Sequence, residues 1–427
     1  MTAVIIIRNG RIIDPINDSD GTGEIWISGN RIVSPGSVDA GDAIRYDAAG
    51  SWVVPGLIDM HVHLREPGEE YKETIASGTR AAAAGGFTAV ACMPNTRPVN
   101  DNGSITTFIR KTAETCPARV YPVGAVSKGS RGEELAEYAE MKEAGIVAVT
   151  DDGHPVMNSQ MMRRALEYAG SHGLPVISHS EDAALSRNGC MHEGFVSTRL
   201  GLRGIPAAAE SIMVYREIAL AELTGCRMHL AHVSTAASVD LIRRAKERGV
   251  PVTAETAPHY FTLTDEAVRG YNTNAKMNPP LRSEADRRVI IEALGDGTFD
   301  AIATDHAPHS VLEKDIEFDL AANGIIGLET AVPLTLALVR SGRLTERRLV
   351  ELLSVNPARI LGVPGGTLAV GATADLTVIN PTISFVYTEE AVLSKSHNSP
   401  FLGQTLTGKA VLTICDGRVG HDELQAR

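Results

Sequence analysis

From residue 53 onward, short apolar segments alternate with helix-like stretches, and this alternation restricts the chain to few folds. The segments span residues 53–60, 87–93, 119–126, 146–150, 174–178, 227–231, 250–254 and 300–303. Between them, residues 74–84, 133–144, 159–171, 207–223, 236–248 and 284–294 place apolar residues at helical spacing. Gly85-Gly86 and Gly145 end two of these stretches. Uninterrupted apolar runs suit strands covered on both faces, as in parallel sheets. Eight strand–helix repeats in about 290 residues predict an α/β fold, a closed (β/α)8 barrel of the TIM type. An open doubly wound sheet would carry a glycine-rich nucleotide loop after an early strand. No such loop is visible.

The flanks read differently. Residues 4–8, 12–13, 24–27 and 31–33 are short and apolar, and Asn9-Gly10 and Gly29-Asn30 read as hairpin turns. After a Gly- and Pro-rich connection at 362–371, residues 374–379 and 409–419 are strand-like again, with Asp416-Gly417 as a turn. Strands at both ends are expected to pair into one small β-sandwich domain. The predicted division is 1–52 as the N-terminal part of the β domain, 53–358 as the barrel and 359–427 as the C-terminal part of the β domain.

The net charge of −12 argues against nucleic acid or an acidic membrane as partner. No apolar run reaches the roughly 20 residues that a membrane helix needs. The sequence begins Met1-Thr2-Ala3-Val4-Ile5, without the basic flank and cleavage site of a signal peptide. Cys92, Cys116, Cys190, Cys226 and Cys415 are odd in number, widely spread and form no CxxC pair. They fit reduced thiols, and a cytoplasmic protein is expected.

In a barrel of this kind the catalytic face lies at the C-terminal ends of the strands. Residues with useful chemistry collect there. The first segment runs into His61-Val62-His63. Residues i and i+2 of a strand point to one side, so both imidazoles can hold one metal ion. Arg65 shares their parity if the strand continues, and sets a cation beside that metal. Later ends carry Met93-Pro94-Asn95, Asp151-Asp152-Gly153, Ser178-His179-Ser180-Glu181, Ala231-His232-Val233-Ser234 and Thr304-Asp305-His306-Ala307-Pro308-His309. Four histidines with aspartates favour zinc, with iron, cobalt or manganese as substitutes. Two neighbouring cations would lower the pKa of a water between them, and an aspartate beside it can take and return a proton. Metal-assisted hydrolysis is the expected chemistry. His259 and His306 are read as structural or supporting, and His154, His172, His192, His229, His397 and His421 as ordinary surface or packing residues. Asp151, if it does not bridge metals, caps or orients its turn.

These residues also carry a resemblance. His61-Val62-His63-Leu64-Arg65-Glu66-Pro67-Gly68, Met93-Pro94-Asn95-Thr96, Asp151-Asp152-Gly153, Lys276-Met277-Asn278-Pro279-Pro280-Leu281-Arg282 and the 304–309 motif resemble those of the dihydroorotases of the amidohydrolase superfamily. The likeness is to the bacterial class with an aspartate between its metals, over nearly the whole length. It implies reversible cyclisation of N-carbamoyl-L-aspartate to (S)-dihydroorotate plus water, in de novo pyrimidine (UMP) biosynthesis, with two Zn2+ per subunit. It implies that His61, His63 and Asp305 bind one zinc and that His179 and His232 bind the other. An aspartate of the Asp151-Asp152 pair bridges them. Asp152 is preferred for its spacing to His179, with Asp151 as the alternative. Arg65, Asn95 and Asn278, assisted by His309, resemble the groups that hold the substrate carboxylate, which requires a cation and amide donors. Main chain at Asn323-Gly324 resembles the segment against the pyrimidine ring, although Asn323 stands where an aromatic residue is expected. Asp305 resembles the catalytic proton carrier. Related hydantoinases and allantoinases usually place a carboxylated lysine after the fourth strand, and residues 146–150 contain no lysine. A non-catalytic paralogue would have lost metal ligands, and all those expected are present. A plain metal-storage protein would not need the carboxylate clamp. The resemblance leaves open a homodimer and an association with aspartate transcarbamoylase.

Overall fold

The computed structural model describes residues 4–426. Residues 1–3, on which part of the signal-peptide reading falls, and residue 427 lie outside the described residues. The strands in chain order are β1 Val4–Asp14, β2 Ser19–Ser28, β3 Arg31–Val33, β4 Ile44–Asp47, β5 Trp52–Pro55, β6 Leu57–Val62, β7 Phe87–Cys92, β8 Arg119–Pro122 and β9 Val176–Ser178. They continue as β10 Met191–His192, β11 Gly204–Ile205, β12 Met228–Leu230, β13 Val252–Thr256, β14 Ala301–Ile302, β15 Leu376–Val386, β16 Thr405–Cys415 and β17 Arg418–Asp422.

Both chain ends meet in one eight-stranded sheet of order β17-β16-β15-β5-β1-β2-β3, with β4 also paired to β1. The join is β5. It runs parallel to β1 at Arg11↔Trp52 and antiparallel to β15 from Ile379↔Trp52 to Leu376↔Pro55. Ile5, Ile7, Ile27, Val53, Val378, Leu412 and Ile414 form the core of this unit. The expected turns at Gly29-Asn30 and Asp416-Gly417 are present. Asn9-Gly10 is not a turn. Asn9 sits inside β1 in the left-handed region (φ 65°), where the register against β2 shifts. The chain reverses later, at residues 15–18. There the Asp14 carboxylate accepts from the N–H groups of Ile16 (3.1 Å) and Leu368 (2.6 Å), which fixes the bend and ties it to the far end of the chain.

The apolar run 53–60 is two strands and not one. Gly56 separates them, and its place is set by close packing: a Cβ there would lie 2.2 Å from Thr88 Oγ1. β5 stays in the terminal sheet and β6 opens the second one. β6, β7 and β8 form one parallel sheet, and β14, β13, β12 and β9 another. Residues 146–150, expected as a strand, make only isolated parallel bridges, Gly124↔Val149 on the β8 side and Val149↔Val176 on the β9 side. On the other flank, Val62 at the end of β6 bridges to His306, just beyond β14.

Helices connect the parallel strands. Ser159–Ser171 buries Met161, Met162, Ala165, Leu166 and Ala169 along one stripe. Ala208–Thr224, Ala236–Glu247 and Glu284–Asp296 lie where the periodicity places them. Thr74, Asn158, Thr235 and Ser283 each accept a backbone N–H at a helix start. The stretch 133–144 is helical only over Tyr138–Ala144, because Leu135 instead bridges Ser127. Gly103–Thr112 and Ala331–Arg340 are helices that the apolar pattern did not single out. The first opens on a glycine and is mostly polar, so its start is marked by the Asn102 cap and not by periodicity.

Candidate metal and active site

His61 is on β6 and His63 is one residue past its end. The strand stops at Val62, so parity does not deliver Arg65. Arg65 turns in through a left-handed backbone (φ 62°), with Nε donating to Pro308 O at 3.1 Å. His232 and Asp305 also hold left-handed backbones (φ 36° and 49°). Such conformations cost about 1–3 kcal/mol each in non-glycine residues and persist where surrounding bonds enforce them.

Asp152 occupies the middle of the histidines. Its Oδ1 lies 3.3 Å from His61 Nε2, 3.7 Å from His179 Nδ1 and 3.5 Å from His232 Nε2, and its Oδ2 lies 3.5 Å from His63 Nε2. Two triads share it, His61-His63-Asp152 and Asp152-His179-His232, with the candidate ligand atoms of each within 4.8 Å of one another. Asp305 Oδ1 stands 3.1 Å from His63 Nε2 and 3.7 Å from His61 Nε2. Asp151 faces elsewhere and accepts from the Ser127 N–H at 3.0 Å and from the Ser127 hydroxyl.

The outer nitrogens of three histidines are held by oxygens. His61 Nδ1 meets Glu255 Oε1 (3.2 Å), His63 Nδ1 meets Asn95 Oδ1 (2.9 Å) and His179 Nε2 meets Glu181 Oε2 (3.4 Å). Each acceptor keeps a proton on that nitrogen and turns the bare nitrogen inward. The bare nitrogens then face carboxylate oxygens, and His179 Nδ1 faces His232 Nε2 at 3.0 Å. Acceptors packed this closely call for positive charge among them, as protons or as a metal ion. His61 Nε2 and His232 Nδ1 have no hydrogen-bond partner among the described residues. The ionisation pattern makes the same demand. Burial works against a charged His61, yet Asp152 and Asp305 raise its pKa well above the ordinary value. His179 is raised to about 10 against burial, by its bonds to Asp152 and Glu181. The residues present fit a divalent metal centre.

A cavity of about 190 Å3 opens over these groups, lined by His63, Asp152, His179, His232 and Asp305 together with Arg65, Asn95, Asn278, His309 and Asn323. A larger hollow of about 530 Å3, against Arg119 and Cys415, lies at the N-terminal end of β8 and away from this cluster. Arg65 Nη2 donates to His309 Nε2 at 3.2 Å. Burial, then the Arg65 charge, pushes His309 down to about 2, so its ring is neutral and able to accept that bond. Asn278 Nδ2 donates to Glu181 Oε2 at 3.2 Å, and Asn95 Nδ2 approaches Asp152 Oδ2 at 3.4 Å. Both amides therefore brace ionisable site groups as well as lining the cavity. Gly324 does not line it. Its N–H goes to Lys276 O (2.9 Å), and its carbonyl accepts from Lys314 Nζ and Asn398 Nδ2, both at 3.0 Å.

Glu255 and Asp59 escaped the sequence reading, and Glu181 was named there at a segment end without a role. Glu255 joins His61 to His229, whose Nε2 lies 3.2 Å from its Oε2, so His229 belongs to a buried chain behind the site. A lone carboxylate within the otherwise uncharged β13 is the signal for it. Glu181 lies two residues past His179, in the loop after β9. Asp59 accepts from the N–H groups of His61 and Thr304, both at 3.1 Å, and burial raises it to about 7. His259 is buried with its ring 4.2 Å from that of Tyr260, and His306 stands between Gly327 N–H (3.2 Å) and Glu73 (3.5 Å).

The family profile described as Dihydro-orotase-like matches residues 50–238. The dihydroorotase of Desulfotalea psychrophila is 63% identical over 98% of this chain and 99% of its own. That of Syntrophotalea carbinolica is 58% identical over 98% and 99%. The chain belongs to the dihydroorotase family. The resemblance carried by the motifs is thus borne out, and the chain is an enzyme of the cyclic amide hydrolase type. Among solved structures, the L-hydantoinase from Arthrobacter aurescens superposes with a TM-score of 0.88 at 26% identity, covering 100% of this chain and 98% of its own. A D-hydantoinase from a Thermus species gives 0.85 at 26%, over 99% and 96%. This chain and the hydantoinases therefore share one overall architecture.

Proposed function

We propose that this enzyme interconverts N-carbamoyl-L-aspartate and (S)-dihydroorotate plus water in de novo pyrimidine synthesis, with two zinc ions per chain. His61, His63 and Asp305 would hold one ion and His179 and His232 the other, with Asp152 between them. The observation that carries this reading is a single aspartate within 3.7 Å of all four histidines, beside a buried arginine in a small cavity. When bound, the two ions would acidify a water and stabilise negative charge on the amide oxygen.

The chain's own residues supply the rest. Arg65, braced by Pro308 and His309, presents a cation to the substrate carboxylate, and Nη1 is uncommitted among the described residues. Asn95 and Asn278 border the same space. Asp305 is held below the usual carboxylate range despite burial, chiefly by the charge of His61, and begins as a base. It takes the proton of the attacking water and returns it to the departing ring nitrogen. The synthetic direction reverses these steps. Asn323 rather than Gly324 would meet the ring, since the main chain of Gly324 is engaged inward.

We read the two parallel sheets and their bridges as one closed (β/α)8 barrel, with the terminal sheet as a separate β unit and the boundary at Gly56. All five cysteines are free, and we place the enzyme in the cytoplasm. A hydantoinase reading draws on the structural neighbours. Against it, an aspartate stands among the four histidines, and residues 146–150 contain no lysine to be carboxylated. Turnover of dihydroorotate, hydantoin and allantoin, measured side by side with metal content on one sample, decides between them. Dihydroorotate alone is expected to react.

A further inference from the structure

The site is completed from far along the chain. Residues 394–399 cross the loops that follow β6 and β14, and Ser394, Ser396, Asn398 and Ser399 are all buried. Ser394 Oγ bonds Glu73, and Ser396 Oγ donates to Lys72 O at 2.7 Å. Asn398 uses its whole side chain on the other loop. Nδ2 donates to Ala307 O (2.9 Å) and Gly324 O (3.0 Å), and Oδ1 accepts from the His309 N–H (3.0 Å). Its own carbonyl accepts from the Ile326 N–H at 3.1 Å. One residue thus pins segments 307–309 and 324–326 to each other. The seam is tight, because a Cβ on Gly324 would lie 2.4 Å from Ala307 O and 2.7 Å from His309 Cδ2. The pinned segment is the one on which Arg65 rests, at Pro308 O and His309 Nε2.

We propose that Asn398, 89 residues beyond His309, is a positioning residue for substrate binding: it sets the 307–309 segment that holds Arg65 and His309 toward the substrate carboxylate. The inference rests on the carboxylate-binding role given to Arg65 and His309 above. Asn398 touches none of the candidate metal ligands and does not line the cavity, so its effect falls on binding and not on proton transfer. Removing this buried amide leaves Ala307 O and the His309 N–H unpaired, while Gly324 O keeps its bond from Lys314 Nζ.

The experiment compares Asn398→Ala and Asn398→Asp with Ser396→Ala in the full-length, metal-loaded enzyme. Asn398→Asp keeps the shape and the acceptor for His309 but sets an oxygen against two carbonyls. It also serves as the second variant if the alanine form does not fold. Both Asn398 variants are expected to raise KM for dihydroorotate by roughly tenfold or more, with kcat within about threefold of wild type and metal content unchanged. Ser396→Ala, on the same segment but bonded to Lys72, is expected to lower the thermal midpoint and leave KM alone. A folded Asn398 variant with KM within about twofold of wild type overturns the inference. So does a parallel fall of kcat, or a KM rise shared equally by Ser396→Ala. Wild-type enzyme that does not turn over dihydroorotate at all overturns the functional reading, and this inference with it.

Discussion

Asp152 and Asp151 are adjacent in sequence and opposite in environment, and a paired substitution reads the difference. Asp152→Ala removes the one carboxylate that faces both histidine pairs, and is expected to lose at least one metal ion and nearly all activity. Asp151→Ala removes an acceptor for Ser127, and is expected to keep both ions and lose about 1–3 kcal/mol of stability. Metal loss in Asp151→Ala with retention in Asp152→Ala would exchange their roles. Asp305→Asn preserves shape and removes the basic oxygen. A fall in kcat of at least about 10²-fold in both directions is expected, and a metal-replete variant of near-normal kcat would assign the proton to another group. Arg65→Met loses a charge-assisted bond of roughly 1.5–3 kcal/mol, hence KM for dihydroorotate should rise at least about tenfold. An unchanged KM would take Arg65 out of substrate binding. The sequence places His61, His63, Asp152, His179, His232 and Asp305 together because each ends a strand-like segment. Glu255, Asp59 and Asn398 were not legible. Nothing local marks a carboxylate as the partner of a histidine 194 residues away, or an asparagine as the fastener of a distant loop.

At the scale of elements, the apolar runs located the parallel strands but not their limits. Gly56 ends one strand and begins another because Thr88 packs against it, a contact invisible in a string of residues. Residues 146–150 kept their place between β8 and β9 while making only isolated bridges. Asn9-Gly10 has the composition of a hairpin turn and the role of an irregularity, since Asp14 bends the chain four residues further on. The 394–399 segment illustrates a different kind of element, held by polar bonds, to carboxylates at its start and to main-chain groups further on. Glu329, just before the helix Ala331–Arg340, accepts from the Leu393 N–H (3.1 Å) and the Ser394 N–H (3.3 Å). Burial raises its pKa from the usual 4.5 to about 7. Between those values the folded chain binds more protons than the unfolded chain, so this group's contribution to stability falls as pH rises through the window. Glu329→Gln keeps an acceptor and removes the titration. Relative to wild type, the variant should gain up to about 3 kcal/mol between pH 4.5 and pH 8. Denaturation midpoints at four pH values read this directly, and a constant gap across the window would remove Glu329 from the account.

For the whole molecule, the question is what the folded chain holds ready before any ion arrives. A site built on carboxylated lysine is assembled only when carbon dioxide supplies the carbamate. Here the central group is an aspartate whose carboxylate is part of the chain. Three of the four histidines around it are oriented by Glu255, Asn95 and Glu181, none of which depends on an ion for its place in β13 or in the loops after β7 and β9. Buried carboxylates and bare imidazole nitrogens packed together are costly until a cation joins them. Chelation is therefore expected to abolish activity and lower the thermal midpoint, since an ion that binds only the folded chain stabilises it by about 4 kcal/mol per site at a thousandfold excess over Kd. Restoring zinc to the stripped enzyme should recover activity and midpoint together, to the same level with and without bicarbonate. Elemental analysis of untreated, active enzyme should find about two transition-metal ions per chain. Activity in protein free of metal would defeat the metal-centre reading altogether. Recovery that depends strongly on bicarbonate would mean that a lysine bridges the ions in place of Asp152, and the basis for separating this enzyme from its hydantoinase neighbours would be gone.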